Sequence, residues 1–198
     1  AGVPGQLRGL INEFKYNDLG SLEEIFKKNK NSVAAVVMEP VGMYAPTNGF
    51  LNKVAALAKK NSALLIFDEV ITGFRLSLGG AQLFFSVTPD ISVFGKAMAN
   101  GYPISVVAGK KKIMQAVEDA IFVSSTYAGD LLSITAALKT IQILKRDKVC
   151  EHNLRLGEEL KKGLHDAILK HNINATCEGL PHKTFLIFKD MSDFTGKE

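Results

Sequence analysis

The chain has little cysteine: two in 198 residues, Cys150 and Cys177. Two thiols cannot build a disulfide scaffold or a four-thiolate zinc site, and they ask for no oxidising compartment. Long apolar runs are also missing. None reaches the roughly 18 residues a membrane helix needs, and the opening AGVPGQLRG has no apolar signal-peptide core. The expected location is therefore the cytoplasm, with no membrane partner. Charge of one sign is scarce as well. The net charge of +4 divides evenly, with ten Lys/Arg against eight Asp/Glu in residues 1–100 and fourteen against twelve in 101–198. Basic clusters such as Lys27-Lys28 and Lys110 to Lys112 read as solvated helix ends, which favour cations, so no nucleic-acid partner is expected. The four histidines lack a two-ligand helix spacing, and no metal is expected.

What is present is an ordinary globular composition, 46% hydrophobic and 22% charged. It is enough for a core that hides roughly 70% of the unfolded surface. Strand-like and helix-like segments alternate. Residues 33–40 (VAAVVMEP), 63–69 (ALLIFDE), 90–96 (DISVFGK) and 103–109 (PISVVAG) read as short strands, apolar on both faces. Residues 21–31 predict an amphipathic helix opened by a Ser21/Glu24 capping box. Further helices are expected at 49–61, at 79–85, in KKIMQAVEDA, and in LLSITAALKTIQILKR with Gly129 or Asp130 near its start. Residues 121–126 suggest another short strand. The pattern implies an α/β fold with a mostly parallel sheet flanked by helices. From about residue 148 a long charged helix precedes two strand candidates, INATCEG and HKTFLIFKD. A division into 1–147 and a smaller α+β unit at 148–198 is expected.

In such sheets ligands sit at the carboxyl ends of the strands. Asp68 ends one strand and Lys96 follows another, so both should face one edge. A carboxylate at a buried strand end needs a cation or a metal. A lysine among apolar groups has its charged form disfavoured, which frees the amine as a nucleophile. Together they suit pyridoxal phosphate: a Schiff-base lysine and an aspartate holding a cationic ring nitrogen. Other readings remain open on these residues alone. An Asp-Glu pair at a strand end can be a helix cap or an ion-pair partner. Apolar residues followed by Asp-Glu also match the magnesium-binding strand of P-loop ATPases, although the G-x-x-x-x-G-K-[ST] loop which that function needs is nowhere in the sequence.

Three longer segments carry a more specific signal: LLIFDEVITGFR (64–75), GGAQLFFSVTPDISVFGKAMANGYPISVVAGKKKIM (79–114) and SSTYAGDLLSITAAL (124–138). In this order they resemble the class III, pyridoxal-phosphate-dependent aminotransferases of fold type I, and within them glutamate-1-semialdehyde 2,1-aminomutase and its aminotransferase relatives. The resemblance spans Val33 to Ala137. It implies an enzyme that moves an amino group through a lysine Schiff base and pyridoxamine phosphate, with a small-molecule amino donor and a carbonyl acceptor. It implies that Lys96 binds the cofactor and shuttles the proton, that Asp68 pairs with the ring nitrogen, and that Val70 packs on the ring. Thr126 would reach the cofactor phosphate of a neighbouring subunit in a homodimer, and Glu39 would lie on the substrate side. The aminomutases have Gly-Thr-x-x-Gly-Asn-Pro around that threonine, where this chain has Ser125-Thr126-Tyr127-Ala128-Gly129-Asp130-Leu131. An aminotransferase acting on another amino compound fits equally. The resemblance further implies a piece of a longer enzyme, without the N-terminal part that grips the phosphate and stacks on the ring. A catalytically incompetent piece of the fold is the alternative, and a P-loop ATPase whose phosphate loop lies outside this chain is the more remote one.

Overall fold

The computed structural model describes residues 2, 4–121, 126 and 128–188, with the backbone alone for 117–120. After a single turn, α1 (Gly5–Arg8), the helix α2 (Leu19–Lys28) begins. Its cap is Asp18, whose Oδ1 accepts the Ser21 N–H at 3.2 Å, while the Ser21 hydroxyl donates to the Asp18 carbonyl at 2.7 Å. The expected Ser21/Glu24 capping box is thus corrected. Asp18 is an equally good cap, and it starts the helix early enough for Leu22 and Phe26, one turn apart, to be buried.

Strand β1 (Ala35–Met38) leads into α3 (Phe50–Lys60), then β2 (Leu64–Asp68), the short α4 (Gly80–Phe84) and β3 (Ile91–Phe94). These strands are short, apolar runs, and they pair in parallel: Val37 lies opposite Ile66, and Asp68 opposite Val93. Helix α3 places Phe50, Leu51, Val54 and Ala58 on one buried face. They pack with Leu22, Phe26, Leu65 and Phe67 into the main core. Full burial of one such side chain contributes about 1.5–3 kcal/mol.

A one-turn 3₁₀ helix (Lys96–Met98) follows β3, and β4 (Val106–Gly109) then returns antiparallel beside it. The sheet is therefore mixed, in the order β1-β2-β3-β4, with three parallel strands and one antiparallel edge. Helices α5 (Lys111–Ala120) and α6 (Leu131–Arg146) come next. Asp130 caps α6 through the Ser133 N–H at 2.8 Å. Ala137 of α6 closes a second cluster with Met98 and Ala99.

The 22-residue α7 (Val149–Lys170) precedes an antiparallel hairpin, β5 (Ala175–Leu180) and β6 (Lys183–Phe188). This two-stranded sheet is separate from the first. Leu154 of α7 and Leu180 of β5 rest on the buried trio Val41, Leu76 and Ala81. The Cys150 thiol donates to the Phe74 carbonyl at 3.4 Å. The strand expected at 121–126 lies outside the described residues apart from its two ends, as do the last two residues of HKTFLIFKD.

Candidate active site

The parallel register of β1, β2 and β3 sends three predicted residues to one edge. Glu39 directly follows β1, Asp68 ends β2, and Lys96 stands two residues beyond β3. The neighbouring strands are about 4.8 Å apart, so Asp68 and Lys96 lie at one edge of the sheet, as the strand pattern predicts, and Glu39 stands at the same edge beyond β1.

Asp68 is half-buried, and its Oδ1 accepts the Val70 N–H at 3.0 Å. Among the described residues no group donates to its other oxygen. Val70 folds back towards β3: its Cγ1 lies 3.7 Å from where a Cβ on Gly95 would stand, beside the lysine. Lys96 is exposed and has a left-handed backbone, φ 44°. Its amine makes no hydrogen bond or ion pair among the described residues. The described residues do not enclose it in the apolar surroundings expected. The lysine instead borders an open cavity of about 740 Å³, shared with Phe74, Arg75, Asn100, Tyr102 and Thr140. Asp68 does not line that cavity.

Glu39 is exposed and unpaired among the described residues. The next residue is held firmly, because the Tyr16 hydroxyl donates to the Pro40 carbonyl at 2.7 Å. Burial pushes the Tyr16 phenol well above its ordinary 10. Thr126 is exposed, between residues outside the described set.

The residue that sequence reasoning passed over is Glu69. It is completely buried. Its Oε2 accepts the Thr72 hydroxyl at 2.7 Å and the Ala81 N–H at 2.6 Å, and its Oε1 accepts the Gln82 N–H at 2.9 Å. The helix-cap alternative for the Asp-Glu pair is therefore the right one for Glu69, which caps α4. A carboxylate so fully engaged has no oxygen left for a water or a metal, so the P-loop reading of the Asp-Glu pair gains no support from it. Its signal in the sequence was the glycine pair of GGAQ. Gly80 has φ 75°, and a Cβ there would fall on the Glu69 carboxyl group.

Among the described residues, no group of three His, Cys, Asp or Glu side chains could hold a metal ion. No helix there is long and apolar enough to cross a membrane.

The family model for class-III aminotransferases matches residues 8–179. The chain belongs to that family. Its fold also superposes on the PLP internal aldimine form of the FumI protein of Sphingopyxis sp. MTA144, with a TM-score of 0.91 and 28% identity, over 98% of this chain and 48% of that one. Among curated proteins it is 41% identical to a 3-aminobutyryl-CoA aminotransferase of Cloacimonas acidaminovorans, over 95% of this chain and 47% of the relative. It is 34% identical to a glutamate-1-semialdehyde 2,1-aminomutase of Methanococcoides burtonii, over 96% of this chain and 46% of the relative. The chain spans about half the length of the curated relatives it matches. At this edge, among the described residues, the chain presents an unpaired amine on Lys96 and a carboxylate on Asp68 with one oxygen unclaimed.

Proposed function

We propose that the full-length protein is a pyridoxal-phosphate-dependent aminotransferase or aminomutase, working on a small-molecule amino donor and a carbonyl acceptor. One observation carries this reading: the Lys96 amine, unpaired among the described residues, and the Asp68 carboxylate, half-engaged among them, share the carboxyl edge of parallel strands. Pyridoxal phosphate, when bound, supplies a carbonyl to take up the amino group and a ring to spread the charge left when a Cα–H bond breaks. Lys96 offers the amine that holds the cofactor. The same amine, when not holding the cofactor, would accept the proton from the substrate Cα and donate it back to the bound molecule. Asp68 keeps the ring nitrogen protonated by placing a negative charge beside it. Val70 covers one ring face, Thr126 serves the phosphate across a homodimer interface, and Glu39 stands on the substrate side. Residues 1–147 belong to the cofactor-binding domain, and 148–198 begin the smaller one. The protein works in the cytoplasm, which suits its two free thiols.

The test is direct. Pyridoxal phosphate added to the protein should give a visible absorbance band that borohydride fixes on Lys96, and Lys96→Ala should abolish both. Transamination surviving in Lys96→Ala would refute the role of the lysine. If the 198-residue chain gives no band but the full-length protein does, this chain is an incompetent piece of an active fold.

A further inference from the structure

The chain of contacts that begins at Glu69 does not stop at the helix it caps. Gln82, whose N–H donates to Glu69 Oε1 at 2.9 Å, sends its side-chain amide on to the Ser92 hydroxyl at 3.1 Å. Ser92 is buried in β3 and lies in register with Phe67, the residue before Asp68. Four residues later in the chain, two beyond the end of that strand, comes Lys96. One polar path therefore runs from the residue after Asp68, through α4, into the strand that leads to the lysine. The backbone reinforces it, since the Glu69 N–H donates to the Val93 carbonyl at 2.9 Å.

Burying a carboxylate without a cation is costly unless donors fully engage it. Here three donors do so, and no Lys or Arg is paired with it among the described residues. An apolar side chain would fill the same space with no such demand. What an apolar residue cannot do is fix one geometry, because hydrogen bonds are directional and dispersion contacts are not. We infer that Glu69, Gln82 and Ser92 form a strut that sets the position of Asp68 relative to Lys96. All three are positioning residues, and this rests on the function proposed above. If Asp68 moves, the negative charge beside the ring nitrogen moves with it. The proton affinity of the lysine–cofactor chromophore then changes, because charge interactions at this range are steep in distance.

The test uses the full-length protein loaded with pyridoxal phosphate and follows the pH titration of its Lys96-dependent visible band. Gln82→Met removes the link to Ser92 but keeps the backbone N–H to Glu69. It should shift the midpoint by about half a pH unit or more, a three-fold change in proton affinity. Ser92→Ala, at the other end of the link, should shift it in the same direction, and it serves alone if the first variant does not fold. In an Asp68→Asn background both shifts should vanish, which a purely stabilising strut would not produce. Unchanged midpoints, or equal shifts with and without the Asp68 carboxylate, would overturn the strut and leave the proposed function standing. A wild-type protein with no Lys96-dependent band would overturn both.

Discussion

Glu69 and Gly80 compete for one volume: a Cβ on the glycine would stand 2.8 Å from Glu69 Oε1 and closer still to Oε2. The glycine also has φ 75°, which side-chain-bearing residues seldom adopt. Gly80→Ala should therefore cost twice, about 1–2 kcal/mol for the left-handed backbone and about 1–3 kcal/mol for overpacking. Urea denaturation should show a loss near 3 kcal/mol. A loss below 1 kcal/mol would mean that the carboxylate moves aside freely.

Glu69 itself should be harder to replace than its position between catalytic candidates suggests. Glu69→Gln puts an NH₂ group where the carboxylate accepts backbone N–H groups, so one donor faces another. Leaving a buried donor unsatisfied costs about 1–3 kcal/mol. We expect that loss in denaturation midpoints, whether or not a cofactor is present.

Asp90 should govern much of the acid limb of stability. Burial alone would raise its carboxyl. The Leu65 N–H at 2.8 Å and the Lys110 ammonium at 2.7 Å outweigh that and hold it below its ordinary 3.8. A depressed carboxylate stabilises the fold above its unfolded pKa, and the contribution is lost as pH falls through the folded value. Stability should therefore drop below about pH 4. Asp90→Asn should start lower at neutral pH and show a flatter acid limb. Identical acid limbs in the two proteins would remove Asp90 from this role.

His182 should act in a higher window. Its ring nitrogens are buried with no hydrogen-bond partner among the described residues. Burial first, then the positive charges of Arg75 and Lys183, push the imidazole down from 6.5 to about 4. The unfolded chain thus binds the proton more readily. The histidine's contribution is complete above pH 6.5 and is lost between there and pH 4. In His182→Leu that segment of the stability profile should flatten, with little or no loss at pH 7. A steep fall between pH 6.5 and 4 in the leucine variant would point to other groups.

Tyr16→Phe removes the donor to the Pro40 carbonyl beside Glu39 and should cost about 1–2 kcal/mol at pH 7. A phenol raised above its ordinary value stabilises the fold below its unfolded pKa and loses that contribution as pH rises. The difference between the two proteins should therefore hold at neutral pH and shrink only above about pH 10.

The amino-acid sequence by itself determined the secondary elements and the two principal site candidates. Short, mostly apolar runs such as LLIFD and ISVF read as strands between helical segments, and they form β2 and β3. Their ends necessarily carry Asp68 and Lys96 to a common edge, because parallel strands share direction. Helix α6 was legible from its Asp130 cap, whereas the start of α2 was not, because Asp18 and Ser21 are both good caps and burial of Leu22 and Phe26 chose between them. What only the tertiary structure decided is what the polar groups face. Local pattern cannot tell a carboxylate that meets a ligand from one that meets a helix end. The difference between Asp68, with one oxygen unclaimed among the described residues, and Glu69, with both engaged, depends on residues 81 and 82, a dozen positions away, and on the missing side chain of Gly80. The exposure of Lys96 is decided in the same way, since nothing in its own segment specifies which other parts of the molecule cover it.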